Sequence, residues 1–180
     1  MKMFRVLIAV SLFSTLSVYA QECDFESLFP KSVKKTQQQF NMNNGGKLSM
    51  TQWLNVETIS ESRAKIASNI ICQSLQGASY TGEDEEWSQF IQGAARGLVD
   101  ANATNIEFTL VGTDDATYHG KLDNREYQFI ATMDDYKQMM RNITLLNKSR
   151  NQVITVSISG NTVIAEEINK EYRRIVSQLN

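Results

Sequence analysis

The side chains with the most chemistry to offer are two cysteines and one histidine, Cys23, Cys72 and His119. A thiolate with an imidazole as its base makes a nucleophile, but no local pattern joins either cysteine to His119. One imidazole and two thiols are also too few for a zinc site of ordinary nitrogen and sulfur ligands. The pair reads instead as one disulfide, Cys23 to Cys72. Closing a loop of about fifty residues, it would stabilise the fold by roughly 4 kcal/mol on the chain-entropy model. His119 lies between Tyr118 and Gly120, on the outer side of a predicted half-buried strand, and is expected to be dispensable.

Carboxylates are the next candidates. Gly82–Trp87 reads GEDEEW, the densest acidic run in the chain. Glu83, Asp84, Glu85 and Glu86 could steer a basic partner protein by their charge. They equally suit the first turn of a helix, whose dipole favours negative charge. The alternating oxygen ligands of a calcium loop are missing. Asp134–Asp135 invites the same helix-start reading. No serine stands in a Gly-x-Ser-x-Gly elbow, and no glycine-rich phosphate loop occurs; the run Asn43, Asn44, Gly45, Gly46 is a turn. A glycosidase pair of carboxylates meets in space rather than in sequence, and nothing singles one out. Asn102, Asn142 and Asn147 open Asn-x-Ser/Thr sequons, which matter only in a eukaryotic secretory pathway. The sequence implies no cofactor and no metal.

The amino terminus sets the compartment. Lys2 and Arg5 precede an uncharged, mostly apolar stretch from Val6 to Leu16, and Val18 and Ala20 are the small residues of a cleavage site. This is the plan of a secretory signal peptide, residues 1–20, cut between Ala20 and Gln21. Ser11, Ser14, Thr15 and Ser17 make it a poor membrane span, which needs about 20 apolar residues. The exported chain would then fold where disulfides persist, in the bacterial periplasm or outside the cell. Without Lys2 and Arg5 it has 16 basic and 20 acidic residues, net charge about −4. No basic face for nucleic acid or anionic lipid is visible. With one proline and 42% apolar residues, residues 21–180 read as a single globular domain.

The elements that must position these groups divide into two halves. Phe25, Phe29, Val33, Thr36 and Phe40 recur at helical spacing. Lys47–Val56 fits a strand or a helix. Thr58 with Glu61 opens a helix striped by Ile59, Ile66, Ile70 and Leu75, which would carry Cys72 and end at Gly77. A further helix, Glu83–Ala101, presents Trp87, Phe90, Ile91, Ala94 and Leu98 on one face; Gly93 and Gly97 on it would let another element approach closely. The second half alternates with period two at Ile106–Leu110, Tyr118–Leu122 and Tyr127–Ala131. A short helix from Asp134 with Tyr136, Met139, Met140 and Ile143 is expected next. Two strands joined by a hairpin at Gly160–Asn161 follow, then a C-terminal helix striped by Ile168, Tyr172, Ile175 and Leu179.

The expected fold is therefore α+β: N-terminal helices packed on one face of an antiparallel sheet, with a C-terminal helix. The function expected first is that of an exported, non-enzymatic protein-binding or accessory protein of the bacterial envelope, such as a periplasmic immunity factor or an assembly factor. A ligand-binding or catalytic cone, with an apolar pocket lined by Trp87, Tyr118, Tyr127 and Phe129, is the second reading. A secreted, host-directed effector is the third.

Overall fold

The computed structural model describes residues 23–30, 33–43 and 45–179. The expected signal peptide and its cut at Ala20–Gln21 lie outside them. The architecture is a seven-stranded, wholly antiparallel sheet with one helix in the middle of the chain and one at its end. After a single 3-10 turn at Glu26–Leu28 come β1 (Lys34–Asn41), β2 (Lys47–Thr58) and β3 (Lys65–Gln76), then α1 (Asp84–Asp100). The strands β4 (Thr104–Leu110), β5 (Asp123–Met133), β6 (Tyr136–Asn147) and β7 (Gln152–Asn161) follow, and α2 (Ala165–Val176) ends the order. Two meanders, β1–β2–β3 and β4–β5–β6–β7, meet where β3 pairs with β7, giving the spatial order β1-β2-β3-β7-β6-β5-β4.

The expectation of helices in the first half is thus corrected: the segments before Gly77 are strands. Their apolar residues explain the misreading. Ile66 and Ile70 on β3, and Thr36 and Phe40 on β1, are four apart, a spacing that fits both a helical turn and two strand repeats. What decides is pairing. Each residue of β3 from Ile66 to Ser74 has a partner on both β2 and β7, and Ile66, Ser68, Ile70 and Cys72 alternate as buried positions. Lys47–Val56, open between strand and helix, is part of β2.

Asp134–Asp135 does not start a helix either. Both residues have positive φ, 47° and 65°, and Met133 pairs with Tyr136 across them. That is the backbone of a two-residue hairpin turn, so Tyr136–Ile143 runs as β6. Its apolar residues fall at helix-like intervals because both faces of this central strand are covered. The expected strand at Tyr118–Leu122 is a loop, and β5 begins after it. The Gly160–Asn161 hairpin is not formed. The Asn161 side chain instead accepts the Val163 N–H at 2.9 Å, and the chain turns into α2.

The helices do not share a face. Ile168, Tyr172, Ile175 and Val176 of α2 pack on the side of the sheet that carries Trp53, Ile70, Ile143, Val156 and Ile158. α1 lies on the opposite side, over Tyr127 and Phe129 at its end and over Leu146 and Val153 at its start. Cys23 and Cys72 are bonded, their Cα atoms 6.3 Å apart and 49 residues apart in sequence. The bond ties the amino-terminal segment to a central strand, not to a helix end. Phe25 stacks edge-on against Trp53, and Arg174 Nη1 donates to the Leu28 carbonyl at 2.9 Å, so α2 holds the same segment from the other side. Among the described residues no helix is long and apolar enough to cross a membrane.

Candidate functional site

α1 is fastened at both ends, and Ile91, Ala94 and Ala95 between them are only half-buried against the cluster of Leu98, Tyr127 and Phe129. At its start Trp87, 4% exposed, packs on Leu146 and Val153. Phe90 meets it edge-on, and the Arg125 guanidinium lies 4.9 Å from the Trp87 ring centre. The approach to the helix is fixed by Asn151, whose Oδ1 accepts the Tyr80 N–H and whose Nδ2 donates to the Leu75 and Ala78 carbonyls. At the other end Leu98 sits on Tyr127 and Phe129. Between these anchors come Gly93 and Gly97, and a methyl group placed on either would meet no atom within 4 Å outside its own stretch of helix. No element approaches these glycines; they roof open space.

That space is a cleft of about 680 Å³. Its roof is the helix stripe Gln89, Phe90, Gly93, Ala94, Gly97 and Leu98. One wall, from β5 and β6, is largely apolar, with Tyr127, Phe129, Ala131, Met133 and Met140 beside the single amide of Gln138. The floor, from β2, β3 and β7, mixes Leu54, Ala67 and Ile71 with Gln52, Asn69, Gln73, Thr155, Ser157 and Ser159. The register shows how these meet: Leu54, Asn69, Ser157, Asn142 and Tyr127 are consecutive partners across five strands and point to one face. No Asp, Glu, Lys, Arg or His lines the cleft.

Hydrogen bonds order part of this surface. Gln52 Nε2 donates to Asn69 Oδ1 at 2.8 Å. The hydroxyls of Tyr127, Thr144 and Thr155 form a chain at 3.2 and 3.3 Å. Burial holds the Tyr127 phenol above its ordinary pKa, against a smaller opposing effect of the bond to Thr144. Asn142 is fully buried, and its Oδ1 finds no partner among the described residues.

The acidic run is a helix start. Glu83 precedes α1, and Asp84, Glu85 and Glu86 fill its first turn. Glu86 turns back to accept the N–H groups of Thr81 and Gly82 at 2.9 and 2.7 Å. Burial of the neighbouring Tyr80 phenol, and to a smaller extent the Glu86 charge, push its pKa up to about 12. Asp84 is 3.7 Å from Arg125, and Glu83 and Glu85 face water. His119 lies on an exposed loop rather than a strand, and no group of three or more metal-ligating side chains occurs among the described residues. Of the four aromatics expected around a pocket, Tyr127 and Phe129 line the cleft. Trp87 anchors the helix beside it, and Tyr118 belongs to the opposite face. Asn102 is exposed, whereas Asn142 leaves no room for a glycan.

Sequence reasoning missed Glu126. It is 3% exposed on the α2 face; its Oε1 accepts the Thr117 and Tyr118 N–H groups at 2.7 and 2.8 Å. Its Oε2 accepts the Tyr172 hydroxyl at 2.9 Å and lies 3.7 Å from Arg141 Nη2. Burial and this carboxylate raise the Tyr172 pKa far above its ordinary value, with Arg141 opposing. Glu126 holds the loop before β5 against the core. The only signal was a carboxylate beside buried aromatics in a strand.

No family model matches this sequence, and no curated protein matches it. Among solved structures, the chain is similar to PA94, a protein of unknown function from Pseudomonas aeruginosa. The TM-score is 0.44 and the identity 9%, covering 77% of this chain and 92% of that one.

Proposed function

We propose that this is an exported, non-enzymatic binding protein that takes a small, uncharged, largely apolar ligand into the cleft beneath α1. The observation that carries the reading is the cleft itself: about 680 Å³, roofed by two glycines and lined by no Asp, Glu, Lys, Arg or His. Ligand pockets run to roughly 300–1,000 Å³ and are lined mainly by apolar and aromatic groups with a few polar ones. An ion entering an uncharged, half-buried site would lose hydration without gaining a counter-charge. The disulfide favours an oxidising compartment, as the signal-like residues 1–20 do. A protein partner at the acidic turn is the weaker reading, because Glu86 is occupied within the turn and Asp84 has a partner in Arg125.

The test is titration with a neutral apolar fluorophore, N-phenyl-naphthylamine, against the native protein and a Gly93→Leu/Gly97→Leu variant. Saturable binding that falls at least tenfold in the variant, with the melting temperature maintained, is the expected result. Equal binding by both proteins refutes the cleft as the site.

A further inference from the structure

Resting on that reading, we infer that the ligand is a single-chain neutral amphiphile whose head carries a hydroxyl or amide, seated with the head on the sheet and the chain beneath α1. The cleft is two-sided. The β5–β6 wall and the helix roof offer mostly carbon, with one amide each from Gln138 and Gln89, while the β3–β7 floor offers most of the hydroxyls and amides. Several of these floor groups are unused. Asn69 receives a bond from Gln52 through its oxygen, but its Nδ2 makes none among the described residues, nor do the Ser157 and Ser159 hydroxyls.

This inventory selects the head. Asn69 Nδ2 donates, and the Ser157 and Ser159 hydroxyls both donate and accept. A head that both donates and accepts, such as an alcohol or an amide, satisfies the floor; an ester alone leaves acceptors unmet. An ionised head is rejected because no counter-charge lines the cleft. A carboxylic acid, with an ordinary pKa near 4.3, would have to enter protonated, which weakens binding at pH 7 by roughly 100-fold or more. An ammonium head meets the same obstacle from the other side.

Displacement of N-phenyl-naphthylamine from the disulfide-bonded native protein tests this with a matched series: dodecanol, dodecanamide, dodecanoic acid and dodecylammonium, each below its micellar concentration at pH 7. The alcohol and the amide should displace the dye at least tenfold more tightly than either ion. Falling the pH from 7 to 4.5 should narrow the gap for the acid alone. A gap under tenfold at pH 7 overturns the inference while leaving the ligand-binding reading intact, whereas failure of the dye to bind at all removes both. The variant Asn69→Leu/Ser157→Ala should weaken dodecanol about three- to tenfold, as the loss of one or two hydrogen bonds would, each affinity being calculated from displacement with that protein's own measured dye affinity. Unaltered dodecanol affinity in that variant overturns the floor as the head-group site.

Discussion

Replacing Glu126 should destabilise the whole domain through a single loop. The carboxylate takes two backbone N–H groups from residues 117 and 118 and the Tyr172 hydroxyl from α2. In Glu126→Ala these donors lose their acceptor where water cannot replace it, and Arg141 loses its counter-charge. Hydrogen bonds to a charged group contribute about 1.5–3 kcal/mol each, not additively, and removing one member of a buried ion pair costs about 3–5 kcal/mol. We expect a loss of about 3–5 kcal/mol in urea denaturation. For a chain of this length it corresponds to a melting temperature lower by roughly 6–20 °C. Glu126→Gln is the control. Its amide oxygen still accepts from Thr117 and Tyr118, and its nitrogen donates to the Tyr172 oxygen, which keeps the Asn142 carbonyl at 3.2 Å as its own acceptor. That variant should lose less than half as much. Amide hydrogen exchange at Thr117 and Tyr118 supplies the local readout, rising in Glu126→Ala and little changed in Glu126→Gln. A loss under about 1 kcal/mol, the effect of an ordinary neutral hydrogen bond, with both amides still protected, would refute the account.

Removing the bridge in a Cys23→Ala/Cys72→Ala variant should cost roughly 4 kcal/mol; unreduced native protein unfolded in denaturant should show no free thiol, and two reactive thiols would end the claim. Alkaline pH should destabilise the fold. Tyr80, Tyr127 and Tyr172 have folded pKa values above the ordinary value of about 10, so above that pH the unfolded chain releases protons that the folded chain retains. The stability they contribute is complete below about pH 10 and falls as pH rises beyond it, through the window up to about 12 in the case of Tyr80; flat stability across that range in urea melts contradicts the burial of these phenols. His119→Ala should change stability by no more than about 0.5 kcal/mol, as for an exposed loop position, and leave dye binding unchanged; lost binding at an unchanged melting temperature would give the imidazole a role.

Periodicity alone located α1 and α2. Trp87, Phe90, Ile91, Ala94 and Leu98, and likewise Ile168, Tyr172 and Ile175, form stripes whose several intervals fit a helix and no strand; α2 buries its stripe, whereas α1 buries Trp87 and Leu98 and leaves the residues between them half-buried. Pairing the two cysteines needed only their number and the expected compartment, and the acidic run was recognisable as a helix start from its composition. Tertiary structure decided the rest. A spacing of four cannot separate a helix from a strand, so Ile66 and Ile70 waited on the ladders of β2 and β7. Two aspartates start a helix or turn a hairpin according to φ, and partners on both sides settled Asp134–Asp135. The cleft was least legible of all. Gly93 and Gly97 look the same in sequence whether a neighbour presses against them or a void lies beneath. Ser157 and Ser159 look like the solvated side of a strand until a helix crosses above them. Such a site depends on the separation of segments 60 to 66 residues apart in the chain, and that separation is set by the anchors at Trp87 and Leu98.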